Sequence, residues 1–397
     1  MNPLISIRVL DLTDGNPYLG SLLADYGAEL LKIEPPHSGD SIRKRGTPQA
    51  QEQGIYQAYY NRCKKSVCVD ITNPQGQELI KRLAKQCDML VVNSSQEELA
   101  KLNLSYEQLK AENPKLIYGA LTPFGEEGPW KDMPDYDLFI MARTGLLDKT
   151  GFPEKPTRIG VPLAYYYGSY HLGAGMLAAL LQAQETGEGS FVSVSAWQSL
   201  MSVDDTYAQC LLAMNELPRR IANGFPTTNP TDTFKCKNGY FALSIGSDKQ
   251  WWAFCEAAGR HDWAEDPRYK NDPIRSEQNY FGDLDGQLVE YFSNITIEEA
   301  DRICREAMVP GGPCNTVKEL VSDEQVAARQ MLIEINDPIL GNTLQLGKAA
   351  KFLRDTENDN LLTPAPQLSQ HTKDVLKRLP LNDEELEELK QSGAISF

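Results

Sequence analysis

The chain contains no run of about 18 apolar residues, so it offers no evident membrane-spanning helix. Its opening stretch, MNPLISIRVLDL, has no signal-peptide pattern, and a cytoplasmic location is the expectation. The eight cysteines (Cys63, Cys68, Cys87, Cys210, Cys236, Cys255, Cys304 and Cys314) include no CxxC pair and read as free thiols of a reducing compartment. The four histidines are scattered and form no HExxH or His/Cys box, so no metal site is expected. Positive charge is scarce. A net charge of −16 argues against nucleic acid and anionic membrane as partners. Tandem repeats and low-complexity tracts are absent. At 397 residues the chain exceeds one ordinary core, which favours two domains.

What is present begins as a βαβ unit. The short apolar run from Arg8 to Leu12 reads as a strand. Leu19, Leu22, Leu23 and Tyr26 then fall at helical spacing before Gly27, and a second strand runs from Leu30 to Ile33. The intervening turn, from Asp11 to Pro17, lacks GxGxxG, which makes a dinucleotide site a weak reading. Further strands are expected at 67–69, 89–92 and 116–121. Asn73-Pro74 opens one helix, and a Ser105–Gln108 capping box opens another. Asn238-Gly239 marks a hairpin within 234–245, followed by a helix capped at Asp248, with Trp251, Trp252 and Phe254 as core. A capping box at Thr296–Glu299 and an acidic helix starting at Asn382 follow later in the chain.

The stretch KPTRIGVPLAYYYGSYHLGAGMLAALLQAQETGEGSFVSVS, residues 155–195, reads as a loop, a buried Gly/Ala-rich helix, a turn and a strand. It resembles the core segment of the class III (CaiB/BaiF-type) CoA-transferases, the superfamily of formyl-CoA transferase, carnitine CoA-transferase and methylacyl-CoA racemase. Other segments carry the same resemblance in the same order. They are VLDL with LLADYGAELLKIEPPHSGDSIR, NRCKKSV at 61–67, FGEEGPWKDMPDYDLFIMARTGL, 309–317 with 323–332, and the segment around His371-Thr372. The resemblance implies an α/β fold in which both chain ends form a Rossmann-like large domain, a small α+β domain lies between them, and two chains interlock as a dimer. The expected division is 1–200 for the first part of the large domain and 201–224 for a linker helix. Residues 225–320 would form the small domain, and 321–397 the return.

The same resemblance exposes departures. Where the transferases carry a nucleophilic Asp, this chain has Tyr165, and no Asp or Glu lies between Glu154 and Glu185. In those enzymes the carboxylate attacks an acyl-CoA thioester and passes through an aspartyl-CoA intermediate. A carboxylate with pKa near 4 is fully ionised at neutral pH, whereas a phenol with pKa of about 10 is ionised to roughly one part in a thousand. An acylated tyrosine is an ester that cannot become an enzyme-bound thioester. The racemases need a His at the position of Tyr136 and an Asp at Tyr165, and both are missing. The turn before Asn16-Pro17 is about two residues shorter than the family pattern.

The resemblance further implies coenzyme A or an acyl-CoA as substrate, with Asn93, Lys101, Arg43 and Lys65 near it. Lys101 stands where an Arg is expected, and a lysine cannot reproduce a bidentate guanidinium contact to phosphate. Arg43-Lys44-Arg45 and Arg62 with Lys64-Lys65 are the two places where an acidic chain concentrates positive charge; each reads equally well as a solvated loop.

The departures together resemble the Asp-lacking subunit of a heteromeric succinyl-CoA:(R)-benzylsuccinate CoA-transferase. On that reading the partner is a homologous Asp-bearing subunit, and Gly224, Thr231, Gly246 and Ser247 would face the partner's site. Two alternatives stand beside it: a self-sufficient acyl-CoA enzyme using Asp137, and a CoA-binding structural homo-oligomer. Tyr165, Tyr166, Tyr167 and Tyr170 would provide an aromatic lining suited to an aromatic acid if they all face one cleft.

Overall fold

The computed structural model describes residues 2–15, 18–46, 54–204, 220–225, 228–277, 282–352 and 362–397. They group into two compact units, 1–144 with 161–203 and 325–397, and 145–160 with 204–324. The turn at Asn16-Pro17 falls outside the described residues, as do residues 205–219 of the expected linker helix.

The first unit is built on six parallel strands: β1 (Arg8–Asp11), β2 (Glu29–Glu34), β3 (Lys65–Cys68), β4 (Met89–Val92), β5 (Ile117–Thr122) and β6 (Phe191–Ser195). Their spatial order is β3-β2-β1-β4-β5-β6, in which β1 pairs with both β2 and β4. The connecting helices are α1 (Tyr18–Asp25), α2 (Ile55–Tyr60), α3 (Pro74–Ala84), α4 (Gln96–Lys101), α5 (Tyr106–Glu112), α6 (Asp137–Arg143) and α7 (Leu163–Thr186). Central strands covered on both faces become continuous apolar runs, and every residue of MLVV in β4 is buried.

Local chemistry sets the helix ends. Asn73 caps α3 by accepting from the Gln75 N–H, with Pro74 in the first turn, and Ser105 and Gln108 form the capping box of α5. The turn ending α7 needs a left-handed residue, which Gly187 supplies at φ 77°.

The chain's last segment closes this unit. Val375, Leu376, Leu386, Leu389 and Ile395 share one core with Leu10, Val67, Ile80 and Leu90. The His371 N–H donates to the Ser66 carbonyl at 3.0 Å, and the Asp70 N–H to the Ala394 carbonyl at 2.8 Å. Both ends of the sequence therefore build the Rossmann-like sheet unit.

The second unit contains an antiparallel sheet of β7 (Thr231–Cys236), β8 (Gly239–Ser244) and β9 (Gly311–Pro313). Helices 248–257, 283–293 and 297–307 join it around a core of Trp251, Phe254, Trp263 and Phe292. Two details differ from expectation. The helix at 248 is capped by Ser247, whose side chain accepts from the Gln250 N–H, while Asp248 opens its first turn. Trp252 lies on the solvent side of that helix at 52 % exposure, because it follows Trp251 by one 100° step. Residues 145–160 join this unit: the Gly151 carbonyl accepts from the Ala222 N–H, and the Arg220 guanidinium donates to the carbonyls of Asp148, Phe152 and Pro153.

The Gly/Ala-rich helix α7, expected to be buried, is covered on one face only. Leu172 and Met176 are fully buried, whereas Tyr170, Leu177 and Leu181 are exposed.

Candidate active site

In an open parallel sheet, ligands bind beyond the carboxyl ends of the strands, where the strand order reverses. Here the reversal lies between β1 and β4. A small cavity of about 20 Å³, room for one water-sized molecule, occupies this point. Thr13 follows β1, Val91 and Asn93 end β4, Leu121 comes from β5, and Leu19 and Gly20 come from α1. Tyr165, Ser169 and Leu172 enter from α7.

The turn after β1 has no glycine fingerprint, and side chains hold its backbone instead. Asn93 Oδ1 accepts from the Asp14 N–H at 3.0 Å, and Asn93 Nδ2 donates to the Asp14 carbonyl at 2.7 Å. Asp40 Oδ1 accepts from the Gly15 N–H at 2.9 Å, and Asp14 accepts from the Ser41 N–H at 2.8 Å. The Lys32 ammonium donates to the Thr13 carbonyl.

Beneath this turn lies a buried ionic cluster. Lys32 Nζ is 3.5 Å from Asp11 Oδ1 and 2.8 Å from Asp40 Oδ2, and Lys64 Nζ is 3.3 Å from Asp11 Oδ2. All four side chains are almost wholly removed from water, a state that persists only when each charge is paired. Burial pushes the Asp11 carboxyl up, but Lys32 and Lys64 outweigh it and hold it below the usual carboxylate value. Asp40 is held down to about 2, with Lys32 and backbone N–H donors overcoming its burial. Lys64 goes the other way: burial brings it down to about 8 against the attraction of Asp11. This cluster was not anticipated. Its one sequence signal is a lysine inside the apolar strand LLKIE.

Tyr165 sits in the first turn of α7. Its hydroxyl oxygen is buried, and the Asp135 carboxylate is the acceptor it faces, short of close hydrogen-bond geometry. Burial, with the Asp135 carboxylate nearby and Asp137 beyond it, raises its pKa well above that of a free phenol, so the hydroxyl keeps its proton. Asp137, the first residue of α6, is buried, and its Oδ1 accepts from the Ala164 N–H at 3.2 Å. That donor is one of the orphan amides at the start of α7, so the carboxylate caps this helix one residue before Tyr165. Tyr136 is exposed.

The other expected residues divide between the two units. Asn93 lines the pocket. Arg43 is buried in a bidentate pair with Glu34, at 2.5 Å from Nε and 2.7 Å from Nη2. Lys65 pairs with Glu29 at 2.5 Å on the outer part of the sheet, and Lys101 is exposed on α4, 3.5 Å from Glu97. In the second unit, the Thr231 hydroxyl bonds that of Ser244 at 3.0 Å, and the Gly246 N–H donates to Gln250 Oε1 at 3.0 Å beside the Ser247 cap. Register pairs Thr231 with Ser244, which brings Thr231, Gly246 and Ser247 to one end of the hairpin. Gly224 lies on the segment leading into it and is partly exposed.

The four tyrosines do not share a cleft. Tyr165 lines the pocket. The Tyr166 hydroxyl lies 2.6 Å from that of Tyr60, and the Tyr170 hydroxyl 2.8 Å from that of Tyr18, on another side of the helix. The Tyr167 carbonyl is 2.9 Å from His171 Nδ1. Among the described residues, no group of His, Cys, Asp and Glu side chains is arranged to hold a metal ion, and no helix is long and apolar enough to cross a membrane.

A Rossmann-like sheet with a switch-point pocket beside a Gly/Ala-rich helix defines a class of α/β proteins that bind their ligands beyond the strand ends. The family model described as CoA-transferase family III matches residues 4–372, and the chain belongs to that family. It is 30 % identical over 390 residues to the succinate–glutarate CoA-transferase of Agrobacterium fabrum, covering 95 % of this chain and 96 % of that one. It is 28 % identical over 406 residues to the succinyl-CoA–L-malate CoA-transferase beta subunit of Chloroflexus aurantiacus, covering 99 % and 98 %. A solved CaiB/BaiF family protein from Brucella suis superposes with a TM-score of 0.84 at 29 % identity, over 95 % of this chain and 99 % of the other.

Proposed function

We propose that this chain is the non-catalytic subunit of a heteromeric CoA-transferase that moves CoA from an acyl-CoA, succinyl-CoA by preference, to a carboxylic acid. The observation that carries the reading is Tyr165: a protonated phenol stands in the switch-point pocket where the family resemblance puts the nucleophilic carboxylate, and no carboxylate is among the residues that line it. A phenol cannot form the acyl intermediate that is exchanged for a CoA thioester. The nucleophile then comes from a homologous Asp-bearing subunit, with which this chain interlocks. Support for such a partner comes from the open apolar face of α7, where Tyr170, Leu177 and Leu181 lie uncovered, and from the relative named a beta subunit. Thr231, Gly246 and Ser247, together at one end of their hairpin, are the second unit's contribution to the partner's site.

A second reading assigns the chemistry to Asp137, the buried carboxylate one residue removed from Tyr165 through its bond to Ala164. One experiment separates the two. Transfer from succinyl-CoA to a panel of acids is measured with this chain alone and with an Asp-bearing homologue encoded beside it. Activity only in the mixture, with co-elution of both chains, is expected. Turnover by the chain alone, abolished by Asp137→Ala, overturns the proposal in favour of the second reading.

A further inference from the structure

Room for a ligand on the first unit lies away from the switch point, where the cavity holds no more than a water. A groove of about 360 Å³ runs between α3 and the helix Asp383–Gln391. Small-molecule sites span roughly 300–1,000 Å³, so this one falls within their range. Leu79, Leu381 and Leu389 give it an apolar floor at the rim of the main core. Its walls carry an excess of negative charge. Glu78 has a counter-ion in Arg82, one turn further along α3 at 3.5 Å. Glu385 Oε2 accepts from the Asn382 N–H at 2.8 Å within a capping box, but no cation lies beside it among the described residues. The Glu388 side chain, three residues on, has neither a hydrogen bond nor an ion pair among the described residues. Residues three apart share a helix face, so these two carboxylates repel each other.

We propose that this groove binds a small organic cation of the alkylamine class, its ammonium at Glu385 and Glu388 and its hydrocarbon along Leu79, Leu381 and Leu389. Acidic residues are common on a chain of net charge −16, and what sets these two apart is the concave apolar surface they border. The two parts of the site select together. A neutral hydrocarbon gains only the floor, a bare cation gains only the rim, and an acid brings a third like charge to two that already repel. No lining residue is shared with the switch-point cavity. An occupant bridges α3 to the returning end of the chain, and ligand bound to the folded state alone stabilises it. The proposal does not depend on the CoA-transferase reading.

The test compares hexylamine, 1-hexanol and hexanoate, which share one chain length and differ in charge. Each is titrated calorimetrically into the full-length chain at neutral pH and low salt. Hexylamine is expected to bind about 3- to 10-fold more tightly than hexanol, the scale of two exposed ion pairs, with hexanoate weakest. Added salt should weaken the amine and leave hexanol nearly unchanged. Glu388→Gln should reduce the preference to about 2- to 3-fold, and Glu388→Lys should remove or reverse it. An unchanged circular dichroism spectrum shows that both variants are folded. Slower hydrogen exchange in 74–84 and 383–391 on adding the amine should place it in the groove. If hexylamine and hexanol bind alike, or hexanoate binds best, the proposal falls. An amine preference that survives Glu388→Lys puts the cation elsewhere on the acidic surface and overturns it too. Absence of binding by all three compounds leaves no site.

Discussion

The Asp137 carboxylate accepts a hydrogen bond from the Ala164 backbone N–H at 3.2 Å, joining the start of α6 to the start of α7. The first amides of a helix have no acceptor within it, and an anion there also meets the positive end of the helix dipole. Asp137→Leu should therefore lower stability by about 1–2 kcal/mol, and Asp137→Asn, which keeps an acceptor oxygen, by about half as much. Urea denaturation with an unchanged m-value checks this. Loss of transfer activity without loss of stability would point instead to a chemical role for Asp137.

Glu29 ties the sheet to the returning end of the chain. Arg8, Lys65 and Arg378 lie 2.8, 2.5 and 2.7 Å from its carboxylate. Partial burial pushes the Glu29 carboxyl up, but these three cations prevail and hold it at about 2. A carboxyl with a folded pKa below its unfolded value stabilises the fold above the unfolded value, near 4.5. That contribution fades as pH falls toward about 2. The partners are one-third exposed, so screening reduces the effect, and Glu29→Gln should cost about 1–2 kcal/mol at pH 7. The difference should shrink to roughly a quarter when the midpoints are compared near pH 2.5, and disappear only below about pH 2.

Two glycines mark where backbones or side chains approach too closely for a methyl group. A Cβ on Gly76, in the first turn of α3, would lie 1.9 Å from the Asp70 carbonyl oxygen. One on Gly119 in β5 would lie 2.3 Å from the Met176 sulfur. Alanine is normally preferred to glycine in a helix by about 1 kcal/mol, but a rigid backbone oxygen cannot move aside. Gly76→Ala should therefore destabilise by about 2–3 kcal/mol, and Gly119→Ala, opposite a flexible thioether, by about 1–2 kcal/mol. Thermal midpoints of the two variants should fall in that order.

Tyr165→Asp restores a carboxylate at the place where the family resemblance puts the nucleophile. Incubation with succinyl-CoA followed by intact-mass measurement should reveal a covalent adduct on the variant and none on the unaltered chain. Adduct on the unaltered chain would locate a nucleophile elsewhere, with Asp137 the first residue to replace.

The sequence determined the parts of this protein that are local or repeated along the chain. Apolar runs such as MLVV had to become covered strands, Asn73-Pro74 and Ser105 had to open helices, and Gly187 had to close one, because each depends on neighbours a few residues away. The motifs that place the chain in its family, and the tyrosine at the nucleophile's position, were equally legible. Only the tertiary structure decided which charges meet. Arg43 looked like an anion site until the loop after β2 brought it back onto Glu34. Asp11, Lys32, Asp40 and Lys64 became a buried cluster because β1, β2 and β3 lie side by side. Helix phase decided the tyrosines: successive residues turn by 100°, so Tyr165 reaches the pocket while Tyr166 turns to Tyr60. Whether a buried hydroxyl finds an acceptor depends on every element that surrounds it, and no spacing along the chain records that.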